Sequence, residues 1–507
     1  MVYNFIEIVA LFSKYTIINL KLFSMNPVCI IGIDGGTFKV IEPLCRSGSL
    51  RAISNLINEG KKFELITTIP PLTPSAWSSF LTGKNPGKHG ILDFYELDEN
   101  FEYRLSSFKL RKQKKIWNIL SERKLKSIIY FVPFTYPPER VNGIFVSGFL
   151  TPSINSEFTY PLEFKNELLK RFPNYRITEN IKFSKKNSYK FFEDLVELTD
   201  LHGDVMEYLI KNKEFDFFLG VFMTVDHVQH WLWDDKEKVE FIYKKIDEKI
   251  EKIISIMPEG SLFVIMSDHG FQDLKGHFYV NSFLLKEKFL KLKKGLKNSF
   301  KLFMYKSGFS PLRLSKIVYR LGLENLLRRD KESFGKTASK IGFSYADIDF
   351  EKTYAFGFGY YGFIFINERG RFPFGIVNKN EKERIAEDIK SSLLDLSREF
   401  KINIKIFYKE ELYSGDNLYL MPDIVYSFDD FSYVSSWVAF PDFNFFGPSM
   451  TEKTGDHDTK GIFIIWQKGR KLNIKGDKTA SIVDIFPTVL KFFNIEIPSD
   501  LDGKSLL

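Results

Sequence analysis

Cysteine is scarce: the 507 residues contain two, Cys29 and Cys45. Two thiols exclude a disulfide scaffold and a cysteine-built zinc site. Cys29 stands inside an apolar run and reads as a small buried hydrophobe. Charge of one sign is also lacking. The 72 basic residues against 64 acidic ones leave a net charge of +8, a mild excess that suits a small anionic substrate and gives no reason to expect a nucleic-acid partner. Long apolar runs are missing as well. The opening residues MVYNFIEIVALFSKYTIINLKLFS are broken by Glu7, Lys14 and Lys21, so none reaches the roughly 18 residues that would cross a bilayer. That stretch also has no basic start and no small-residue cleavage site of the kind a signal peptide carries. The expectation is a cytoplasmic protein in which residues 1–26 are an extension ahead of the fold.

What is present is a regular alternation. Short runs rich in Val, Ile and Phe occur at Val28–Ile33, Ser127–Val132, Phe217–Val225, Leu262–Met266 and Gly461–Trp466. Longer amphipathic stretches such as Phe191–Leu209 and Lys236–Ile256 lie between them. Continuous apolar strands alternating with helices predict an α/β protein whose mostly parallel sheet is covered on both faces.

One region departs from this pattern. Over about residues 285–332, basic residues interleave with Leu, Phe and Ile at helical spacing. It reads as a basic helical cap inserted at residues 285–345, dividing a catalytic core into residues 27–284 and 346–507. An amphipathic cap packed on its own protein is the favoured reading; docking on an anionic membrane surface is the alternative.

In open α/β sheets the chemically active residues collect at the carboxyl ends of strands. Following each strand to its end gives a consistent result. VCIIGI runs into Asp34, and FFLGVFMTV runs into Asp226 with His230 four residues on. LFVIMS runs into Asp268 and His269, and His457 precedes GIFIIW. Three of only seven histidines and three aspartates thus meet on one predicted rim. Aspartate and neutral histidine are standard ligands of divalent metals, zinc first, with manganese or iron also compatible. If a helical turn starts at Asp226, the i, i+4 spacing makes Asp226 and His230 face one way. His89, His227 and His277 read as supporting or bystander groups.

The stretch TTIPPLTPSAWSSFLTGKNPGKHGILDF holds a short helical pattern at Trp77–Leu81 between two turn signals. Thr73 stands just ahead of that helix. Two roles are open for it: an ordinary N-cap, or a metal-activated nucleophile with helix N–H groups nearby to receive a phosphate.

These segments resemble the alkaline phosphatase superfamily and, within it, the type I phosphodiesterase/nucleotide pyrophosphatase family. The resemblance rests on IDGGT at 33–37, TPSAWSSFLTGKNPGKHGI at 73–91, DHVQH at 226–230, SDHG at 267–270 and GDH at 455–457. It implies an alkaline phosphatase-like three-layer α/β sandwich with two divalent metal ions. One would be held by Asp34, Thr73, Asp268 and His269, and the other by Asp226, His230 and His457. It also implies a phospho-threonine intermediate on Thr73 and a small phosphoester as substrate. Nucleotide pyrophosphatases of the family place an Asn shortly after the HGI segment, where it contacts a phosphate oxygen; here Phe94 stands at that position. Lys84 and Lys88 are the neighbouring candidates for that contact. No arginine matches the phosphate clamp of alkaline phosphatases, which favours diesters. The expected activity is therefore a two-metal phosphodiesterase/nucleotide pyrophosphatase. A phosphomonoesterase, a phosphosugar mutase and a lipid-headgroup phosphotransferase are the alternatives.

Overall fold

A computed structural model describes residues 26–97, 103–106, 113–306, 345–436, 445–448 and 451–507. The N-terminal extension, apart from its last residue, lies outside the described residues, and so does most of the basic stretch. The chain forms two compact units. One comprises Met1–Phe94, Ser106–Asp273 and Glu452–Leu507, the other Tyr95–Leu105 and Leu274–Thr451.

The first unit is built on a nine-stranded sheet. In chain order its strands are β1 (Val28–Ile33), β2 (Lys61–Ile66), β3 (Ser127–Val132), β4 (Gly143–Ser147), β5 (Thr159–Tyr160), β6 (Phe217–Phe222), β7 (Leu262–Met266), β8 (Lys460–Gln467) and β9 (Thr479–Ser481). Across the sheet the order is β9-β2-β8-β7-β1-β6-β3-β4-β5. β1 pairs in parallel with both β6 and β7, β3 with both β6 and β4, and β2 with β9. β8 runs antiparallel to β2 and β7, and β5 antiparallel to β4.

Every residue of β1, β3, β6 and β7 is buried. These central strands are therefore covered on both faces, which is why they read as unbroken apolar runs. Nearer the edge, β2 alternates, with Phe63 and Leu65 inward and Lys62 and Glu64 outward.

Helices Ser188–Asn212 and Lys236–Ile256 supply much of the cover. The second is entered through Asp235, whose side chain accepts from the Lys238 N–H. Its inward stripe of Ile242, Ile246, Ile250 and Ile253 follows the helical repeat. A single glycine interrupts the apolar run of β1 for a packing reason. A Cβ on Gly32 would sit 2.6 Å from the ring of Trp77, in helix Thr73–Thr82.

Register decides where the strands release their chains. Ile33 lies opposite Phe222, and Gly32 opposite Met266. The carboxyl ends of β1, β6 and β7 are therefore neighbours on one rim.

The second unit is wider than the cap expected over residues 285–345, because residues 346–451 cluster with it. It contains a mostly antiparallel sheet that includes Ala355–Gly357, Phe363–Ile366, Ile404–Tyr408 and Ile424–Phe428. Helix Lys379–Phe400 opens on a capping box between Asn378 and Glu381.

Candidate metal centre

β1 ends at Ile33, and Asp34 follows it with no exposed surface; its backbone N–H donates to the Phe222 carbonyl at 2.9 Å. The chain then turns through Gly35 at φ +69°, a left-handed conformation that favours glycine. The turn carries the Gly35 N–H to Oδ1 of Asp268, 3.2 Å away. Nε1 of Trp77 donates to Oδ2 of Asp34 at 2.9 Å. One oxygen of each carboxylate is thereby engaged. The others, Oδ1 of Asp34 and Oδ2 of Asp268, are buried with no hydrogen bond among the described residues. Both lie beside Nε2 of His269, at 3.6 and 3.3 Å.

The second trio forms around Asp226. The strand expected to reach Val225 ends at Phe222, and helix Thr224–Leu232 begins two residues later. Asp226 therefore sits in a first helical turn, one turn ahead of His230, and Oδ1 of Asp226 lies 3.4 Å from Nε2 of His230. Nε2 of His457 is also 3.4 Å from that oxygen and 3.1 Å from Nε2 of His230. His457 does not merely precede a strand. It belongs to Gly455–Asp458, a short strand paired antiparallel with Gly270–Asp273 so that His457 lies opposite Phe271. In each trio one ligand atom per residue falls within 4.8 Å of the others.

Backbone carbonyls settle the proton positions on the imidazoles, because a carbonyl can only accept. Nδ1 of His457 faces the Pro71 carbonyl at 2.7 Å, Nδ1 of His230 faces Gly455 at 3.1 Å, and Nδ1 of His269 faces Gly270 at 3.0 Å. Each Nδ1 thus carries the hydrogen, and each ring when neutral turns the lone pair of Nε2 toward the carboxylates. Lone pairs and carboxylate oxygens packed together without water repel one another unless a cation or a proton lies between them.

The electrostatics follow from that crowding. Burial raises the Asp34 carboxyl well above its usual range, with Asp268 and Asp226 adding to the rise. Burial pushes Asp268 up to about 7, against the pull of His457. Asp226 is also pushed up by burial, but His230, His457 and His269 outweigh that and hold it well below the usual range. Burial drives His230 down to about 4 and His269 well below its ordinary value. Burial works against the charge on His457 too, yet Asp226 and Asp456 raise it overall. A proton and a metal therefore compete for Nε2 of His457. Among the described residues no Lys or Arg forms an ion pair with Asp34, Asp226 or Asp268. The donor set, three carboxylates and three imidazole nitrogens, is one that divalent metals accept. Asp34, Asp268 and His269 suit one cation, and Asp226, His230 and His457 suit a second.

Thr73 is the first residue of helix Thr73–Thr82, and the cap position belongs to Leu72. Its hydroxyl is therefore not spent on an N-cap. Oγ1 lies 3.3 Å from Nε2 of His269, joining Thr73 to the first trio at the start of a ten-residue helix.

A fold with this rim has known relatives. The family described as type I phosphodiesterase / nucleotide pyrophosphatase matches residues 28–437. The chain belongs to that family. Phosphonoacetate hydrolase from Sinorhizobium meliloti 1021, solved with phosphonoacetate, superposes with a TM-score of 0.57 at 12% identity, over 92% of this chain and 94% of its own. An inactive form of murine ectonucleotide pyrophosphatase / phosphodiesterase 5, solved with AMP, gives 0.51 at 11% identity, over 94% and 98%. At these identities the likeness is one of fold, a mixed α/β architecture built on a large, mostly parallel central sheet. GPI ethanolamine phosphate transferase 3 from Schizosaccharomyces pombe (strain 972 / ATCC 24843) is 31% identical over 90 residues. That match spans 17% of this chain and only 10% of the relative. Membership places the chain among proteins described as type I phosphodiesterases and nucleotide pyrophosphatases.

Within this member of the phosphodiesterase family, the other candidates fall elsewhere. Lys84 is held by Asp500 and by Gln113, 2.6 Å away, and Lys88 is paired with Asp502. Both ammonium groups tie the C-terminal segment to the end of the Thr73 helix instead of joining Thr73. Phe94 is half-buried at the boundary of the first unit, and among the described residues no ring contact links it to either trio. His89 is buried, with Nε2 2.9 Å from Oγ of Ser79 and Nδ1 accepting from the Ile91 N–H, as expected of a packing residue. His227 pairs with Glu179 at 3.0 Å. Sequence reasoning missed Trp77 as a partner of Asp34, and it had no means of finding the carbonyls of Pro71, Gly270 and Gly455. No helix among the described residues is long and apolar enough to cross a membrane.

Proposed function

We propose that this chain is a two-metal phosphodiesterase that works through a phospho-threonine intermediate on Thr73. The observation that carries the reading is the junction of the two trios with Thr73. Six buried ligand atoms turn toward one another with no paired Lys or Arg among the described residues, and the Thr73 hydroxyl lies against one of them. Two divalent ions, most simply zinc, supply Lewis-acid charge neutralisation there.

The chain's own residues do the rest. Carbonyls of Pro71, Gly270 and Gly455 fix the three imidazoles, and Trp77 and Gly35 fix two carboxylates. Thr73 is presented at a helix start, where free N–H groups favour a bound phosphate. Its oxygen attacks phosphorus, the bond to the leaving alcohol breaks, and the hydroxyl proton leaves with that alcohol. Water then cleaves the bond between phosphorus and Thr73, restoring the hydroxyl. Catalysis of this kind rests on positioning and charge stabilisation more than on proton transfer.

Hydrolysis of a chromogenic phosphodiester and of the matching monoester by zinc-loaded protein, with and without chelator, tests the reading. Chelator-sensitive turnover biased to the diester is the expected result. A bias to the monoester would replace the substrate class, and absence of bound metal would remove the mechanism. The short match to an ethanolamine phosphate transferase favours one second reading, transfer of the phosphoryl group from Thr73 to an alcohol. Added alcohol acceptors that capture product in place of water would select it.

A further inference from the structure

In the second unit, helix Leu296–Lys306 departs from the usual rule among its described side chains. Two polar ones point inward. Asn298 is 8% exposed and donates to the Lys293 carbonyl at 2.8 Å, and Lys301 is 4% exposed and pairs with Asp347 at 3.0 Å. Three apolar ones point outward: Leu296 is 92% exposed, Phe300 63% and Phe303 64%. The spacing 296, 300, 303 is i, i+4, i+7, so the three make one stripe along the helix. Scattered exposed hydrophobics need no explanation, but an aligned stripe on a helix anchored by its polar face does.

The charge around the stripe identifies its partner. Between Leu285 and Lys306 there are eight lysines against the single acid Glu287. Lys286, Lys288, Lys293 and Lys294 are exposed, and Lys293 and Lys294 stand directly before the helix. An outward apolar stripe flanked by lysines is the pattern of a helix lying in the surface of an anionic bilayer. The rings enter the boundary of the acyl chains, and the ammonium groups remain among the headgroups. A protein partner of matching shape would need no such excess of one sign. We infer that helix Leu296–Lys306 docks this enzyme peripherally on anionic membrane surfaces.

Sedimentation of the full chain with phosphatidylcholine vesicles, with and without phosphatidylserine, tests the inference independently of any turnover. The expected result is binding to the phosphatidylserine vesicles that weakens as salt rises. Replacing Phe300→Ser together with Phe303→Ser should weaken that binding at least about tenfold. These side chains are exposed, so fold and hydrolysis of a soluble diester should be unchanged. Lys293→Glu with Lys294→Glu should also weaken binding and flatten its salt dependence. Three results would each overturn the inference: no binding to phosphatidylserine vesicles at low salt, undiminished binding by the double Phe variant, or self-association of the chain that the Phe variant abolishes while vesicles bind neither form.

Discussion

The indole N–H of Trp77 donates to Oδ2 of Asp34, 2.9 Å away in a fully buried site, and leaves Oδ1 turned toward His269. A hydrogen bond from outside the ligand set fixes which oxygen is offered to a metal and favours the ionised carboxylate against the rise that burial imposes. In Trp77→Phe the ring remains and the donor is lost. The expected outcome is a metal affinity weakened on the order of 10- to 100-fold, read by chelator competition, with two ions still bound at saturation. Unchanged affinity would mean that the bond only packs the helix against Gly32.

Thr73 is separated from an N-cap role by one position, and the distinction can be measured. A cap loss would cost stability and leave turnover intact, whereas loss of the nucleophile does the reverse. Thr73→Ala should lower kcat on the order of a thousandfold or more with nearly unchanged metal content and melting temperature. Thr73→Ser should recover part of the rate. Acid quenching with a labelled diester should leave label on Thr73 in the wild type and none in the Ala variant. Wild-type kcat in Thr73→Ala would assign the nucleophile elsewhere.

Three carboxylates buried within reach of one another should make the first unit depend on bound cations. Chelator treatment should lower its melting temperature, and added zinc should restore it. Free metal at about a hundred times Kd is worth about 2.7 kcal/mol per site. Asp268→Asn removes one of the repelling charges, so the chelated variant should melt closer to its own metal-loaded form than the wild type does. A melting temperature indifferent to chelator would show that the trios hold no metal.

Much of this was written locally in the chain. β1, β3 and β7 coincide with apolar runs because strands buried on both faces need nothing else, and Lys236–Ile256 is a helix with a clear repeat and an Asp cap. Where the pattern was ambiguous, the reading slipped. The apolar letters FMTV continue the composition of β6, yet the chain turns into a helix at Thr224, and that turn is what aligns Asp226 with His230. The ribbon formed by GFQD and GDHD has no strand composition, and pairing alone makes it one. The second unit assembles its sheet from strands spread between residues 276 and 447, so no local segment announces it. Lys84 and Lys88 looked free beside the Thr73 helix. Their partners, Asp500 and Asp502, come from the far end of the chain.

His202 supplies a pH test away from the metal centre. It is buried in the first unit, with Nδ1 2.6 Å from the Tyr130 hydroxyl and its ring centroid 3.9 Å from that of Phe131. Burial, aided by the charge of Arg176, pushes its pKa from 6.5 down to about 3. The unfolded chain therefore takes up a proton that the native one refuses. Stability from this group is complete above the unfolded value of 6.5 and is lost as pH falls from there toward about 3. Over that window the loss is about 1.4 kcal/mol per pH unit, so between about pH 7.5 and about pH 5 it amounts to about 2 kcal/mol. Urea denaturation of wild type and His202→Gln at both pH values isolates this contribution, because every other titrating group is shared. The wild type should lose about 2 kcal/mol more than the variant on acidification. Equal losses would mean that His202 is protonated in the folded protein.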